Sequence, residues 1–504
     1  VFSWLAIVAG TLGTGVRPVH IASLSYSLHR NKPMRAPRLS LLVCLLAALS
    51  ITAGSGLAQD RANTPTRGSK TYALRPLQRG HAWVRQHPFT LMGLVRNYPR
   101  PFDEPLYRRA GFTSLLAWEP GSYDELIPKV AAAKMPFHIH LEHWGGDKVN
   151  RKGVTEDILS TAISKIDSPK NRAYIDRLTK HPQCLGFLAN DEAVNPFYLR
   201  YTRQLLQWLR RRYPDKLAFG NAHPDPWNGG YDRYIDEFAA IVEPDVLMTD
   251  VYPLAVPDGL AYNYFGILSD IRKTALAHGM PYWMIIQSFH STGAFDRRLP
   301  SESDIRLQLF VPLAMGYTGI IFFTYDVAFE TGLIDKNGKP TRLHPDVARA
   351  NREVLHLGKA LRFLTSTSFG CVAGTHIKDG KTVRNPIRRS TRSLDLTAQP
   401  VREVIIESPG EQKDALLGFF RDDQGGRYFM VTNLWQNAGA TASDRAVPVS
   451  IRMAPEVKSL HRLDRVTGKV ERMKIEDRTV RITLPGGTGD LFKIDDGKFP
   501  GLQN

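Results

Sequence analysis

Residues 184–225 read CLGFLANDEAVNPFYLRYTRQLLQWLRRRYPDKLAFGNAHPD, and the fold follows from how this stretch is read. An apolar run from Cys184 ends in Asn190, Asp191 and Glu192. Over 199–214 the apolar residues recur at helical spacing, and Arg210, Arg211 and Arg212 stand at the end where cations suit a helix dipole. A second apolar run from Leu217 then ends in Asn221, His223 and Asp225. Strand, helix and strand in this order make the βαβ unit of a parallel sheet. A helix cap would use one of the acids at 191 and 192; an acid/base pair at a barrel mouth would use both.

Working outward, the same unit recurs. Strands are expected over 89–98, 112–119, 135–144, 184–192, 217–225, 246–254, 281–289 and 319–326, separated by amphipathic stretches such as YDELIPKVAAAK, LSDIRKTALAHG and SDIRLQLFVPLAMG. Eight strand-helix units in roughly 250 residues predict an α/β fold, a (β/α)₈ TIM barrel over 86–365. A doubly wound sheet would want a Gly-rich turn after its first strand, and none is present. From 366 to 504 the pattern changes to short alternating strands with Gly and Asp/Asn turns, as in ALLGFFRDDQGGRYFMVTNLW and VRITLPGGTGDLFKI. That pattern predicts a small C-terminal antiparallel β-sandwich. GTHIKDGKT at 374–382 resembles a phosphate-binding loop, but it has one residue too many between its glycines and lies at a hairpin-like turn.

The segment MRAPRLSLLVCLLAALSITAGSGLA, 34–58, has the basic start, apolar middle and small-residue end of a secretory signal peptide. Residues 1–58 are therefore read as an upstream extension plus signal, with Met34 as the start and cleavage near Ala58. The mature protein is expected to be secreted or periplasmic, without stable membrane insertion. Cys44 lacks the preceding small residue of a lipid-anchor site. Residues 59–85 are polar with little periodicity and read as a linker or arm. Cleavage removes five basic residues and no acidic one, lowering the net charge from +17 to +12. The basic balance admits an anionic polysaccharide among the partners. The cations are scattered, so nucleic acid is not expected. Only Cys184 and Cys371 remain, too few for a disulfide framework.

In a barrel of this type, active sites form at the C-terminal strand ends, and these ends are unusually polar. They carry Arg96 and Asn97, then Trp118 and Glu119, then His138, His140, Glu142, His143 and Trp144. Asn190, Asp191 and Glu192 follow, then Asn221, His223 and Asp225, Asp250 and Tyr252, Gln287, and finally Tyr325 and Asp326. Carboxylates, amides and aromatic faces converging on one mouth suit a sugar. His138, His140 and Glu142 alternate on one strand and point the same way, a geometry also open to a metal. They are read instead as interior packing or hydroxyl binding, and no metal or other cofactor is required. Trp118, Trp144 and Trp227 serve equally as packing or as stacking platforms.

GFLANDEA, LRRRYPDKLAFGN, TDVYP, WMIIQSF and RLQLFVPLAMGYTGIIFFTYD together resemble glycoside hydrolases of clan A, the β-galactosidase-like retaining clan. HRLDRVTGKV and LPGGTGDLFKI resemble the β-sandwich that often ends such enzymes. The resemblance spans about 89 to 495 and is distant. It implies hydrolysis of O-glycosidic bonds in a poly- or oligosaccharide. It also implies that Glu192 is the general acid/base; Asp191 beside it is read as orienting it, favouring its protonated form by like-charge proximity, or serving as a cap. A nucleophile belongs at the seventh strand end, where this chain has Gln287, and an amide cannot form the glycosyl intermediate. Three arrangements accommodate this. Asp250 or Asp326 supplies the second carboxylate, by an inverting route if the groups stand about 6.5 to 9.5 Å apart. Alternatively Asp296 or Glu302 supplies it from a loop, or the barrel binds carbohydrate without cleaving it. Asn97, Trp118, His138, His140, Glu142, Trp144, Asn190, Asn221, Tyr252, Gln287 and Tyr325 are the expected sugar contacts, Gln287 donating to a hydroxyl or to Asp250.

Overall fold

The computed structural model describes residues 78–96, 102–141, 167–224, 230–257, 259–261, 263–378, 381–384, 394–406 and 413–502, with isolated positions between 157 and 164. Eight parallel strands close on themselves: β1 (Thr90–Val95), β2 (Ser114–Ala117), β3 (Phe137–His140), β4 (Cys184–Asp191), β5 (Leu217–Ala222), β6 (Leu247–Val251), β7 (Tyr282–Gln287) and β8 (Gly319–Phe323). Closure is made by β1 on β8, with Thr90 opposite Gly319 and Gly93 opposite Phe322. The strands are shorter than the sequence pattern predicts, because their polar ends turn away into loops.

Alternation sorts the side chains. Leu188, Phe219, Met248, Trp283, Ile285 and Ile321 fill the lumen, while their neighbours pack outward on the helices. Trp283 fits only because Gly319 beside it has no side chain; a Cβ there would stand 2.6 Å from the indole. The helices are α1 (Arg79–Gln86), α2 (Glu104–Arg109), α3 (Tyr123–Ala132), α4 (Pro169–Thr179), α5 (Pro196–Arg212), α6 (Tyr231–Val242), α7 (Tyr264–His278), α8 (Glu302–Met315) and α9 (Leu343–Leu361). Two turns of helix, α1, thus occupy the end of the arm that showed little periodicity. Its Trp83 and Val84 join the lumen core from the N-terminal base.

The C-terminal part is a β-sandwich. One sheet runs β9 (Thr365–Val372), β11 (Ala415–Arg421), β12 (Arg427–Asn433), β17 (Gly489–Ile494), β14 (Leu460–Leu463) and β15 (Val470–Arg472). The other runs β10 (Val401–Ile406), β13 (Val447–Met453) and β16 (Thr479–Leu484). Phe419, Phe429 and Phe492 of the first meet Val449, Ile451 and Val480 of the second in a separate core. The first sheet also lies on α8, so closely that a Cβ at Gly418 would fall 1.8 Å from the Ala314 carbonyl oxygen. That explains why α8 is not amphipathic as its sequence suggested. Ser303 through Met315 are all buried, with the barrel on one side and the sandwich on the other.

Buried ion pairs tie the two parts together. Arg306 of α8 grips Glu353 of α9 through two bonds of 2.8 Å. Arg465, from the turn after β14, reaches the same carboxylate at 2.9 Å and also pairs with Asp490 of β17. Burial pushes the Glu353 carboxyl up, but the guanidiniums of Arg306 and Arg465 outweigh it and leave its pKa below the ordinary 4.5. A depressed carboxyl adds stability above its unfolded pKa and loses it as pH falls through the folded value. Glu353→Ala strands two cations and is expected to cost about 3–5 kcal/mol at pH 7. In denaturant titrations the gap from wild type should narrow once the pH falls below the folded pKa; a gap that persists unchanged in acid would show that packing, not the charge, is lost.

Candidate active site

The chemistry of the mouth begins with a parity change in β4. The register against β5 shifts between Leu188 and Asp191, so that Leu188 opposes Phe219 and Asp191 opposes Asn221. Such a bulge re-aims the residues beyond it. Asn190 therefore turns outward, where it is fully buried, donates to Thr202 of α5 and packs over Gly220. Asp191 turns inward. Helix α5 takes its N-cap from Asn195, whose side chain accepts from Tyr198 N at 2.8 Å. Neither acid is spent as the cap.

On three consecutive strands, Asp191, Asn221 and Asp250 now meet. The Asn221 amide nitrogen donates to Asp191 Oδ1 at 2.9 Å and to Asp250 Oδ1 at 2.8 Å. Two bonds from one atom hold these oxygens within about 6 Å of each other. Asp250 is 3% exposed. The Tyr252 phenol also bonds to it, and burial, followed by the charges of Asp250, Asp191 and Glu192, keeps that phenol protonated far above its ordinary range. Glu192 sits at the rim in the left-handed conformation, φ +52°, which costs a non-glycine residue energy and often marks a functional turn. Its backbone N–H donates to the Asn221 carbonyl at 2.9 Å, and its carboxylate lies 3.7 Å from His223 Nε2. Tyr234 staples this corner, accepting from His223 N and donating to the Ala193 carbonyl. Burial, then the His223 bond, then the charges of Glu192, Asp250 and Asp191 act on its phenol, and the net effect is upward.

The opposite side of the mouth is different. Asp326, after β8, accepts from Arg96 N at 2.9 Å, and Arg96 pairs with Glu119 at 3.0 Å. In the barrel order β8 lies across from β4. Trp118 is half-buried and stacks on His140 with ring centroids 3.9 Å apart. Between β6 and β8 stands an aromatic wall. Tyr252 lies 5.1 Å from Phe289 and 5.5 Å from Phe323, and Phe289 lies 5.0 Å from Phe329, which is 59% exposed. The three phenylalanines of this wall, with Phe295, were not among the residues singled out from sequence. Their signal was aromatic residues at the end of the eighth strand and in the loops following the last two strands.

Several expected sugar contacts do not reach the mouth. Gln287 is fully buried; its amide nitrogen donates to the carbonyls of Phe289 and Arg298, and its oxygen accepts from Leu254 N. It is a brace for two loops, not a donor to a hydroxyl or to Asp250. His138 lies deep in the lumen, edge-on to Trp83, Phe219 and Trp283. Tyr325 is 1% exposed and packs against Tyr107 and Phe112. Asn190 faces the helices, and Asn221 spends its N–H groups on carboxylates. Glu302 is bound by Arg306, Arg349 and Ala442 N at the sandwich junction, while Asp296 is exposed on its loop. Asn97, Glu142, His143, Trp144, Asp225 and Trp227 lie outside the described residues. Among the described residues no cluster of His, Cys, Asp and Glu could hold a metal, and no helix is long and apolar enough to cross a membrane.

No protein-family model and no curated protein matches the sequence. Among solved structures, the chain is similar to an α-amylase from Anoxybacillus, 10% identical with a TM-score of 0.43, covering 84% of this chain and 99% of that one. It is similar to the endo-β-1,4-mannanase from Thermotoga petrophila, 14% identical with a TM-score of 0.37, covering 69% and 95%. It is also similar to a β-galactosidase from Marinomonas ef1, 11% identical with a TM-score of 0.42, covering 55% and 62%. At such identities and TM-scores the likeness says nothing of activity, and the chemistry rests on the mouth itself.

The placement of His138 has a consequence for acid stability. Burial first, and His87 second, lower its pKa from 6.5 to about 3, and neither ring nitrogen has a partner among the described residues. Between those values the unfolded chain binds a proton that the folded chain refuses, so stability falls as pH drops below 6.5. His138→Leu fills the same aromatic box without ionising and is expected to unfold at lower pH than wild type, followed by near-UV circular dichroism. Coincident acid midpoints would assign the acid limit to another group.

Proposed function

We propose that the protein is a glycoside hydrolase that cleaves O-glycosidic bonds of a poly- or oligosaccharide at the mouth of the barrel. The observation that carries this reading is the Asp191–Asn221–Asp250 bridge with Glu192 beside it. Glu192, at the rim and partly open to solvent, is the acid that protonates the leaving oxygen. Asp250, held by Asn221 and Tyr252, is the carboxylate that acts at the anomeric carbon. Asp191 adds a second negative charge, which favours the oxocarbenium-like transition state. The aromatic wall offers flat faces to the apolar side of a sugar ring. The signal pattern at 34–58 supports export of the mature chain.

Reducing-end release from a panel of neutral and anionic glycans tests this. Glu192→Gln and Asp250→Asn are each expected to lose about 10²–10⁴-fold in rate while keeping the wild-type melting temperature. Asp326→Asn, which still accepts from Arg96, should lose far less. Full activity in Glu192→Gln would sink the assignment. A second reading, carbohydrate binding without turnover, is favoured by Gln287, since the seventh strand ends in a braced amide with no carboxylate. Calorimetric binding with no release under any condition would establish it.

A further inference from the structure

A second concave surface lies at the other end of the barrel. Phe89 and Thr113 immediately precede β1 and β2, and both line a cleft of about 1030 Å³ between the barrel base and the sandwich. Four cations line it, Lys359, Arg362, Lys469 and Lys498, and no carboxylate does. The three lysines are exposed and form no ion pair among the described residues, unlike Arg79 and Arg210 at the same end of the barrel, which share Asp245; the acid nearest Lys498, Asp496, feels its charge but is paired with Lys493. The walls between the cations are apolar, formed by Leu355, Phe499 and Leu502, with Val470 38% exposed at the lip.

We infer that this cleft binds an acidic polysaccharide, carboxylate- or sulfate-bearing, as a site separate from the mouth. Unpaired cations around a concave, partly apolar surface focus a field that attracts an anionic chain. The C–H faces of its sugar rings suit the apolar walls. The N-terminal arm is a poor occupant, because residues 59–77 carry Arg61, Arg67, Lys70 and Arg75 against Asp60 alone. A bilayer surface is a poor one as well, since the cations ring a recess between two domains, and a flat membrane does not enter a recess. The choice of a glycan over other polyanions rests on the proposed function of the mouth.

The test is fluorescence anisotropy of labelled oligogalacturonate with the full chain, against a neutral manno-oligosaccharide of equal length and against phosphatidylglycerol vesicles. Binding of the acidic oligomer is expected to weaken at least 10-fold in Lys469→Glu/Lys498→Glu, whose exposed side chains leave the fold intact, and at least 10-fold between 50 and 500 mM salt. Glu192→Gln should bind it as wild type does. Equal affinity for the neutral oligomer, no effect of the charge reversal, or loss in Glu192→Gln alone would overturn the cleft assignment. Preference for vesicles would overturn it in favour of a lipid headgroup. Failure of the mouth reading shows separately, as absence of release from neutral glycans with cleft binding intact.

Discussion

Closure of the barrel is the constraint on which everything else depends. Once β1 pairs with β8, no strand is an edge, and every strand must point its C-terminal end to the same mouth. Closure in turn needs a lumen filled to the density of a crystal. Trp283 does most of that filling at the base, which forces Gly319 beside it and sets His138, Trp83 and Phe219 edge-on around it. A charged group could not occupy this layer without large desolvation cost. Polar chemistry is thereby pushed to the last inward-facing position of each strand.

At that last position the bulge in β4 and the amide of Asn221 act together. Without the bulge, strict alternation would send Asn190 inward and Asp191 into the helix layer, since Leu188 already faces the lumen. With it, Asp191 stands level with Asn221, whose two N–H groups suffice for one oxygen on each side. Two carboxylates near each other repel, and an amide that donates to both offsets that repulsion without adding charge. At the equivalent level of β7, Gln287 is drawn into the loops instead, because Leu254, Phe289 and Arg298 offer it backbone partners on every side. Amides at comparable depths therefore serve opposite ends: one orders acids, the other orders loops.

The fold was legible because its signals are local. Each of the eight strands carries its own apolar run, each helix its own period, and counting them gives the barrel; the break in pattern after 366 gives the sandwich. Less legible was anything that depends on a partner distant in sequence. The polarity of α8 could not be read because both its neighbours, the barrel and the sandwich sheet, are assembled from elsewhere. The two turns of α1 are too short for a period to emerge. In the site, the cluster of Asp191, Glu192, Asn221 and Asp250 was visible as polar strand ends, whereas the inward or outward sense of each was not. Parity counted from Leu188 fails across a bulge, and the sequence contains no mark of the bulge beyond the acids themselves. His138 was placed too near the mouth because depth along its strand was not legible, and Tyr325, beyond the end of β8, turns its ring onto Tyr107 and Phe112.

The charge distribution follows from the same architecture. Each βα loop at the mouth leads into a helix N-terminus, where the partial positive charge favours nearby anions. Asp191, Glu192 and Asp250 thus gather in a chain whose net charge is strongly positive, +17, at the end where clustering acids costs least. The helix C-termini point to the base and favour cations there, which accounts for Arg210–Arg212 at the end of α5 and for Lys359 and Arg362 around the end of α9. Asp245 neutralises the first group through Arg210. Around α9 the sandwich brings Lys469 and Lys498, and no carboxylate lines the cleft they share. Like charges assembled by two domains at one cleft are destabilising in isolation, so their persistence there requires a compensating partner, solvent and salt in the free protein or an anion when one is bound.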